Sequence, residues 1–167
     1  STYNSNNSRS DLYRVNSDGT SLTQLTNTAS ISEGSTKISP DNSQYIYTGQ
    51  SPDVYLADFE GNSTILTSCN GGTKAFAWSH DSNRYACQTR VQQPLGFRYG
   101  LLVYNINGSS VGYLPNTWYS GGPMLFHPSN SDLLLVGFTS NNPYGKIGVL
   151  NIDTGVLSYS IDIYPDT

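Results

Sequence analysis

The chain has 167 residues, a formal net charge of −4 and only 12% charged residues, with 13 Tyr among its many uncharged polar side chains. This length favours one domain, and the abundance of strand-forming and turn-forming residues predicts all-β structure. The net negative charge argues against nucleic acid and anionic membranes as partners, and no apolar run approaches the roughly 20 residues of a membrane-spanning helix.

A polar segment, residues 1–10, comes first and contains neither an initiator Met nor the apolar stretch of a signal peptide. We therefore expect a processed, trimmed or incompletely recorded start. Sequons for N-glycosylation begin at Asn6, Asn62 and Asn107, and they could carry glycans on a eukaryotic secretory route. Chance matches are equally expected in a chain this rich in Asn, Ser and Thr.

A strand pattern that runs into a glycine turn occurs four times along the chain. The glycines are Gly19, Gly61, Gly108 and Gly155, which lie 42, 47 and 47 residues apart. Glycine permits the positive φ that tight hairpin turns often need. A second strand pattern follows each glycine, so each motif predicts a hairpin.

A second turn motif alternates with the first. It reads Ser39-Pro40-Asp41, then Ser79-His80-Asp81, then His127-Pro128-Ser129, and its first residues are 40 and 48 residues apart. Each repeat therefore contains two hairpins, or four antiparallel strands, which is typical of a β-propeller blade. A sandwich would not explain two alternating turn motifs in step.

The motifs Ser39-Pro40-Asp41 and Trp78-Ser79-His80-Asp81, with the run from Leu12 to Gly19, resemble the TolB-type WD40-like repeats. Such repeats also form the propellers of the dipeptidyl-peptidase and prolyl-oligopeptidase families. The resemblance covers about residues 10–160 and implies a propeller fold. The predicted parts are an outer hairpin at 11–26, blades at about 33–67, 73–114 and 122–161, and a C-terminal tail at 162–167.

These parts amount to about three and a half blades, fewer than the four to eight of a closed propeller. We expect the chain to belong to a longer polypeptide or to a ring that other chains complete. Unpaired strand edges invite such pairing.

His80 and His127 are the only histidines in the sequence, and both fall in turns. Turn capping explains them better than catalysis, and the sequence contains no nucleophile elbow, zinc motif or phosphate loop. The turn carboxylates lack the clustered spacing of a calcium loop. We therefore predict a non-enzymatic chain without metal or cofactor, unless it is part of a larger peptidase.

Aromatic residues near the inter-strand insertions at 88–99 and 115–123 are the candidates for a binding surface. Flat rings beside amides suit a partner protein or a sugar. Most aromatics, including Phe76, Trp78 and Tyr104, are expected to fill the space between blades. The candidates for partner or ligand binding are Tyr99, Tyr113, Trp118, Tyr119 and Tyr144.

Cys69 and Cys87 are the only cysteines. Cys87 falls in a predicted strand and Cys69 in the preceding loop, so a disulfide and two free thiols remain equally open. The leading functional hypothesis is an extracellular or periplasmic module that binds a protein partner or copies of itself. A carbohydrate-binding propeller and an accessory propeller of a secreted peptidase are the alternatives.

Overall fold

The computed structural model describes residues 2–4, 9–28, 33–49, 53–66, 69, 76–93, 96–114, 124–138 and 146–162. All regular elements among these residues are strands, and none of the described segments forms a helix that could cross a membrane. In chain order the strands are β1 (Thr2–Asn4), β2 (Arg9–Asp11), β3 (Tyr13–Arg14), β4 (Thr23–Gln24), β5 (Thr36–Ile38), β6 (Gln44–Thr48), β7 (Val54–Asp58), β8 (Ser63–Ile65), β9 (Phe76–Trp78), β10 (Arg84–Gln93), β11 (Gly96–Asn105), β12 (Ser110–Leu114), β13 (Met124–His127), β14 (Asn130–Phe138), β15 (Lys146–Asn151) and β16 (Leu157–Asp162).

Three four-stranded antiparallel sheets follow one another along the chain. Sheet 1 contains β5–β8, sheet 2 contains β9–β12 and sheet 3 contains β13–β16, and in each sheet the strands lie side by side in sequence order. Two two-stranded sheets, β1–β2 and β3–β4, precede them and together form the N-terminal unit. The predicted all-β architecture of four-stranded antiparallel units is confirmed.

The N-terminal segment differs from the prediction, which treated residues 1–10 as a polar lead-in. Strand β1 pairs with β2, with Thr2 opposite Asp11 and Asn4 opposite Arg9. Only Leu12 separates β2 from β3, so these two short strands follow one another almost directly along the chain. The N-terminal unit therefore contains β1, the β2–β3 segment and β4, whereas the sequence predicted a single hairpin. The short sequence Thr-Tyr-Asn has no apolar alternation, so its pairing leaves no signal in the sequence.

The four repeated glycines close the second hairpin of each unit, as predicted. Gly19, Gly61, Gly108 and Gly155 have φ values of 84°, 99°, 84° and 67°. A side chain is strained in this left-handed region, whereas glycine is not. The repeat therefore places glycine at each turn whose backbone adopts positive φ.

The turn motifs at Ser39 and Ser79 use identical hydrogen bonds. The Ser39 hydroxyl donates to Asp41 Oδ1 at 2.6 Å, and the Ser79 hydroxyl donates to Asp81 Oδ1 at 2.6 Å. Each hydroxyl also accepts the backbone N–H of the residue five positions later, at 3.0 and 2.8 Å respectively. Both serines are buried, so these bonds satisfy polar groups that have no access to water.

Three apolar interfaces join the successive units. For each sheet, we call the side that packs against the preceding unit its upstream face and the opposite side its downstream face. The interface of sheets 2 and 3 includes Ala86 and Val103 from one sheet and Leu134 and Leu150 from the other. The interface of sheets 1 and 2 includes Ile46, Val54, Phe76 and Tyr85, and that of the N-terminal unit and sheet 1 includes Leu12, Tyr45, Tyr55 and Ala57.

Candidate interaction surfaces

The predicted aromatic surface lies largely outside the described residues. Trp118, Tyr119 and Tyr144 fall there entirely. Tyr99 is in β11 opposite Arg90, and Tyr113 is in β12 opposite Leu102, while their side chains belong to the part that is not described. The binding role of all five residues stays a prediction.

The region around Tyr99 was expected to be an insertion between strands. Instead, β10 and β11 extend as one long hairpin, with paired positions continuing to Gln93 opposite Gly96. The stretch 88–99 is mostly polar and contains Pro94 and Gly96, so it was taken for a loop and not for an extension of the strands. Tyr99 therefore belongs to a strand that projects beyond the shorter neighbouring strands of its sheet.

The two histidines occupy different structural positions. His127 Nδ1 accepts the backbone N–H of Ser129 at 3.3 Å, which is the capping role that its turn position suggested. His80 Nδ1 lies 3.1 Å from the hydroxyl of Ser131, a residue of sheet 3, so His80 links two neighbouring sheets. Both rings are used in local polar contacts on the turn side of the sheets.

Further polar contacts join neighbouring sheets at the same turns. The Asp41 N–H donates to the Ser82 hydroxyl at 3.0 Å, between sheets 1 and 2. Between sheets 2 and 3, Arg84 pairs with Asp132 and lies 3.8 Å from Asp153. The hydrogen bonds and ion pairs at this end of the sheets fix the relative positions of neighbouring units. The apolar interfaces between the same sheets bury hydrophobic side chains of these sheets.

Hydrogen bonds keep the turn carboxylates ionised. The Ser39 hydroxyl, followed by the N–H and hydroxyl of Ser43, lowers the pKa of Asp41 from 3.8 to about 2. At Asp81 partial burial opposes ionisation, but hydrogen bonds from Ser79 and its other neighbours outweigh burial and lower the pKa. These shifts explain the carboxylates as turn components, and the described residues contain no group of three or more His, Cys, Asp or Glu side chains that could hold a metal ion.

The shift at Asp41 predicts acid sensitivity. Because its pKa is lower in the folded chain, Asp41 stabilises the fold fully above its ordinary pKa of 3.8, and this contribution is lost as the pH falls towards about 2. We expect an NMR titration of the Asp41 carboxyl carbon to give a midpoint near the lower value. In Asp41→Asn, the urea midpoint should change less between these pH values than in the unaltered chain. A carboxyl midpoint at the ordinary value would contradict the assignment.

Cys69 and Cys87 form a disulfide, with their Cα atoms 5.6 Å apart. Both residues are buried in the interface of sheets 1 and 2, where Cys87 lies in β10 and Cys69 in the connection that leads from sheet 1 to sheet 2. The structure thus selects one of the two alternatives that the sequence left open. The bond ties that connection to the second strand of sheet 2.

Asn62 and Asn107 are exposed in glycine turns, and Asn6 lies outside the described residues. The Asn62 amide donates to Asp58 Oδ2 at 2.7 Å, whereas Asn107 Oδ1 accepts the hydroxyl of Ser109 at 2.7 Å. Both side chains therefore have a local turn role. Their glycosylation stays a prediction.

The downstream face of sheet 3 carries an exposed apolar side chain and is not covered by any other described part of the chain. Met124 and Phe126 are buried against sheet 2, so the alternation of a strand places Leu125 on the opposite face, where its exposed fraction is 63%. Leu125 is paired with Leu135 of β14, which in turn is paired with Val149 of β15. Val149 is partly exposed. In sheet 2 the corresponding positions are Ala77 and Val103, which are buried against sheet 3.

The upstream face of the N-terminal unit likewise has no cover among the residues that the structure describes. Leu12 packs against sheet 1 and Arg14 lies over the Phe59 ring at 4.9 Å, so Tyr13 and Val15 project to the other side. Val15 is 52% exposed, while Ala57, the corresponding residue of sheet 1, is buried. The two uncovered faces therefore carry side chains at the positions that form interfaces elsewhere in the chain.

These two faces were not predicted, although the sequence contains a signal for one of them. Met124, Leu125 and Phe126 are consecutive apolar residues in a strand, a pattern typical of strands that are buried on both faces. The described part of the chain buries Met124 and Phe126 but leaves Leu125, on the other face of β13, exposed. The pattern thus indicates a covering group beyond the described residues.

Among the described residues, two buried side chains retain polar atoms without a hydrogen-bond partner. They are Glu33, through Oε2, and Gln88, through both amide atoms. Glu33 lies near the N-terminal unit, since its N–H donates to the Ser10 carbonyl at 2.9 Å. Neither residue was singled out in the sequence, because burial of a polar side chain is invisible there.

No protein-family model and no curated protein matches the chain. Among solved structures, TolB from Acinetobacter baumannii matches 91% of the chain with a TM-score of 0.64 and 20% identity, and the match covers 38% of TolB. A structure from a study of two prolyl endopeptidases matches 91% of the chain with a TM-score of 0.66 and 11% identity, covering 26% of that protein. An oligogalacturonate lyase in complex with manganese matches 90% with a TM-score of 0.65 and 11% identity, covering 46% of the lyase.

These matches confirm the prediction of a TolB-like, WD40-like β-propeller, of which the chain forms a part. The chain spans less than half the length of each of these three proteins. They include enzymes as well as TolB, so the shared fold does not distinguish binding from catalysis.

Proposed function

We propose that the chain is a non-catalytic propeller module that binds a protein partner through the downstream face of sheet 3. The exposure of Leu125 carries this proposal. An apolar side chain that is 63% exposed occupies a position that the preceding sheet uses for inter-sheet packing. The partly exposed Val149 lies on the same face, so the accessible apolar surface there includes more than one residue.

The partner contributes an apolar surface that can lie flat on a twisted sheet. Leu125 and Val149 are both paired with Leu135 of β14, from opposite sides, so the proposed contact runs across the strands of the sheet. The five aromatic residues singled out from the sequence remain candidates for a second contact surface. They are Tyr99, Tyr113, Trp118, Tyr119 and Tyr144.

The proposed location is extracellular or periplasmic. The buried disulfide between Cys69 and Cys87 supports it, because such bonds persist mainly in oxidising compartments. The low charge and the many hydroxyl and amide side chains are compatible with this placement but do not require it.

Photo-crosslinking tests the proposed surface without assuming the partner. We expect p-benzoylphenylalanine at position 125, in the cells that produce the protein, to give a discrete protein adduct that mass spectrometry can identify. Position 22 is the matched control, because Leu22 is 67% exposed but lies beside a hairpin turn of the N-terminal unit. Absence of an adduct at position 125, or equal adducts at both positions, would overturn the proposal.

A further inference from the structure

We propose that Asn107 is a self-modification site, at which the chain converts a side-chain amide to a carboxylate in the glycine turn of sheet 2. This inference is independent of the proposed partner. Asn107 is exposed and precedes Gly108, and glycine hinders the conversion least because it has no Cβ. The sequence contains Asn-Gly twice, at Asn70 and at Asn107, and only the second pair lies among the described residues.

The reaction needs only water as a second reactant. The backbone nitrogen of Gly108 attacks Asn107 Cγ and forms a bond to it, while the bond from Cγ to Nδ2 breaks. Ammonia leaves with the proton of the attacking nitrogen, and a cyclic imide remains. Water then opens this imide. Cleavage of the new bond gives aspartate, whereas cleavage of the original peptide bond gives isoaspartate, whose backbone is longer.

Ser109 holds the carbonyl group that is attacked. Asn107 Oδ1 accepts the backbone N–H of Ser109 at 3.0 Å and its hydroxyl at 2.7 Å. Negative charge develops on this oxygen during the attack, and donors that already point at it lower the barrier.

The turn also restrains the attacking nitrogen. The Gly108 N–H donates to the Asn105 carbonyl at 2.8 Å. This hydrogen bond has to open before the nitrogen can reach Asn107 Cγ. We therefore expect the conversion to be slower in the folded chain than in an unfolded peptide of the same sequence.

A second turn of the chain shows that the product fits. The turn at 16–20 matches the turn at 105–109: in each, the backbone N–H of the first residue donates to the last carbonyl at 2.9 Å, and the glycine has a φ of 84°. Asp18 occupies the position of Asn107, and its Oδ1 accepts the N–H and hydroxyl of Thr20 at 2.9 and 2.7 Å. These bonds, the hydroxyl first, lower the pKa of Asp18. An aspartate at position 107 would thus keep the turn and add a negative charge, and the sequon would be lost because glycosylation requires the asparagine amide.

Prolonged incubation of the folded chain, produced without glycans, at mildly alkaline pH tests the proposal. Peptide mass spectrometry should detect the conversion of amide to acid at Asn107 at least about tenfold faster than at Asn62, which is followed by Ser63 and not by glycine. Asn62 is the matched control, because it is also exposed in a glycine turn and its side chain is also hydrogen-bonded. Equal rates at the two residues, or an unchanged Asn107, would overturn the proposal.

Asn107→Asp supplies the aspartate product directly. We expect its circular dichroism spectrum and urea midpoint to match those of the unaltered chain, because the turn at 16–20 has the same backbone and already contains Asp18. In an NMR titration the new carboxyl should have a pKa below the ordinary range, as Asp18 does. A variant that loses the native spectrum would show that the folded chain does not tolerate the product, and the proposal would then be wrong.

Discussion

Replacement of Leu134 by Ala is expected to lower the free energy of unfolding by about 2 to 5 kcal/mol. Leu134 is fully buried in β14 and belongs to the interface of sheets 2 and 3. The substitution removes apolar area from this interface and leaves a cavity, because Val103 and Ala86 across the interface are held by their own strands. Urea unfolding followed by circular dichroism measures the loss.

Leu22→Ala is the matched control for this experiment. Leu22 is 67% exposed, so the same change in side chain should alter the free energy of unfolding by less than about 0.5 kcal/mol. If Leu134→Ala were no more destabilising than Leu22→Ala, the apolar interfaces would not be the main source of stability.

The repeat and the turns could be predicted because their causes are local in sequence. Gly61 must adopt positive φ, and Ser39 and Asp41 bond within one turn. The residue types at these places therefore report the structure directly. Their regular spacing was enough to predict four-stranded antiparallel units and the propeller fold.

The uncovered faces could not be predicted in the same way, because they depend on contacts between units. The apolar side chains of Leu125 and Leu134 look alike in the sequence, yet one is exposed and the other is buried. Which face a residue occupies follows from the register of neighbouring strands. Whether that face is covered depends on whether another unit follows it.

The pairing of Cys69 with Cys87 was open for a related reason. Their separation of 18 residues permits a bond but does not place the connection before sheet 2 against β10. That placement depends on packing between sheets 1 and 2. Strand β1, which pairs with β2, was missed because the three residues Thr2–Asn4 are too few to show a strand pattern in the sequence.

Loss of the disulfide is expected to destabilise the chain by about 3 kcal/mol, since the bond closes a loop across a separation of 18 residues and restricts the unfolded chain. The double variant Cys69→Ala/Cys87→Ala should unfold at a correspondingly lower urea concentration, with a small further cost from the two small cavities. Chemical unfolding with and without a reductant measures the effect in the unaltered chain.

The double variant also serves as the control for the reductant, which should leave its unfolding midpoint unchanged. Because Cys69 and Cys87 are both buried in the interface of sheets 1 and 2, reduction of the native chain requires that interface to open. We therefore expect the rate of reduction to rise in Leu134→Ala only if the sheets open together, and to stay unchanged if sheets 1 and 2 separate independently.

Detection of two free thiols in the non-reduced, denatured chain would contradict the bond itself, and an unchanged midpoint on reduction would contradict its contribution to stability. If the bond contributes as much as expected, the fold is more stable in an oxidising compartment than in a reducing one, in agreement with the proposed extracellular or periplasmic location.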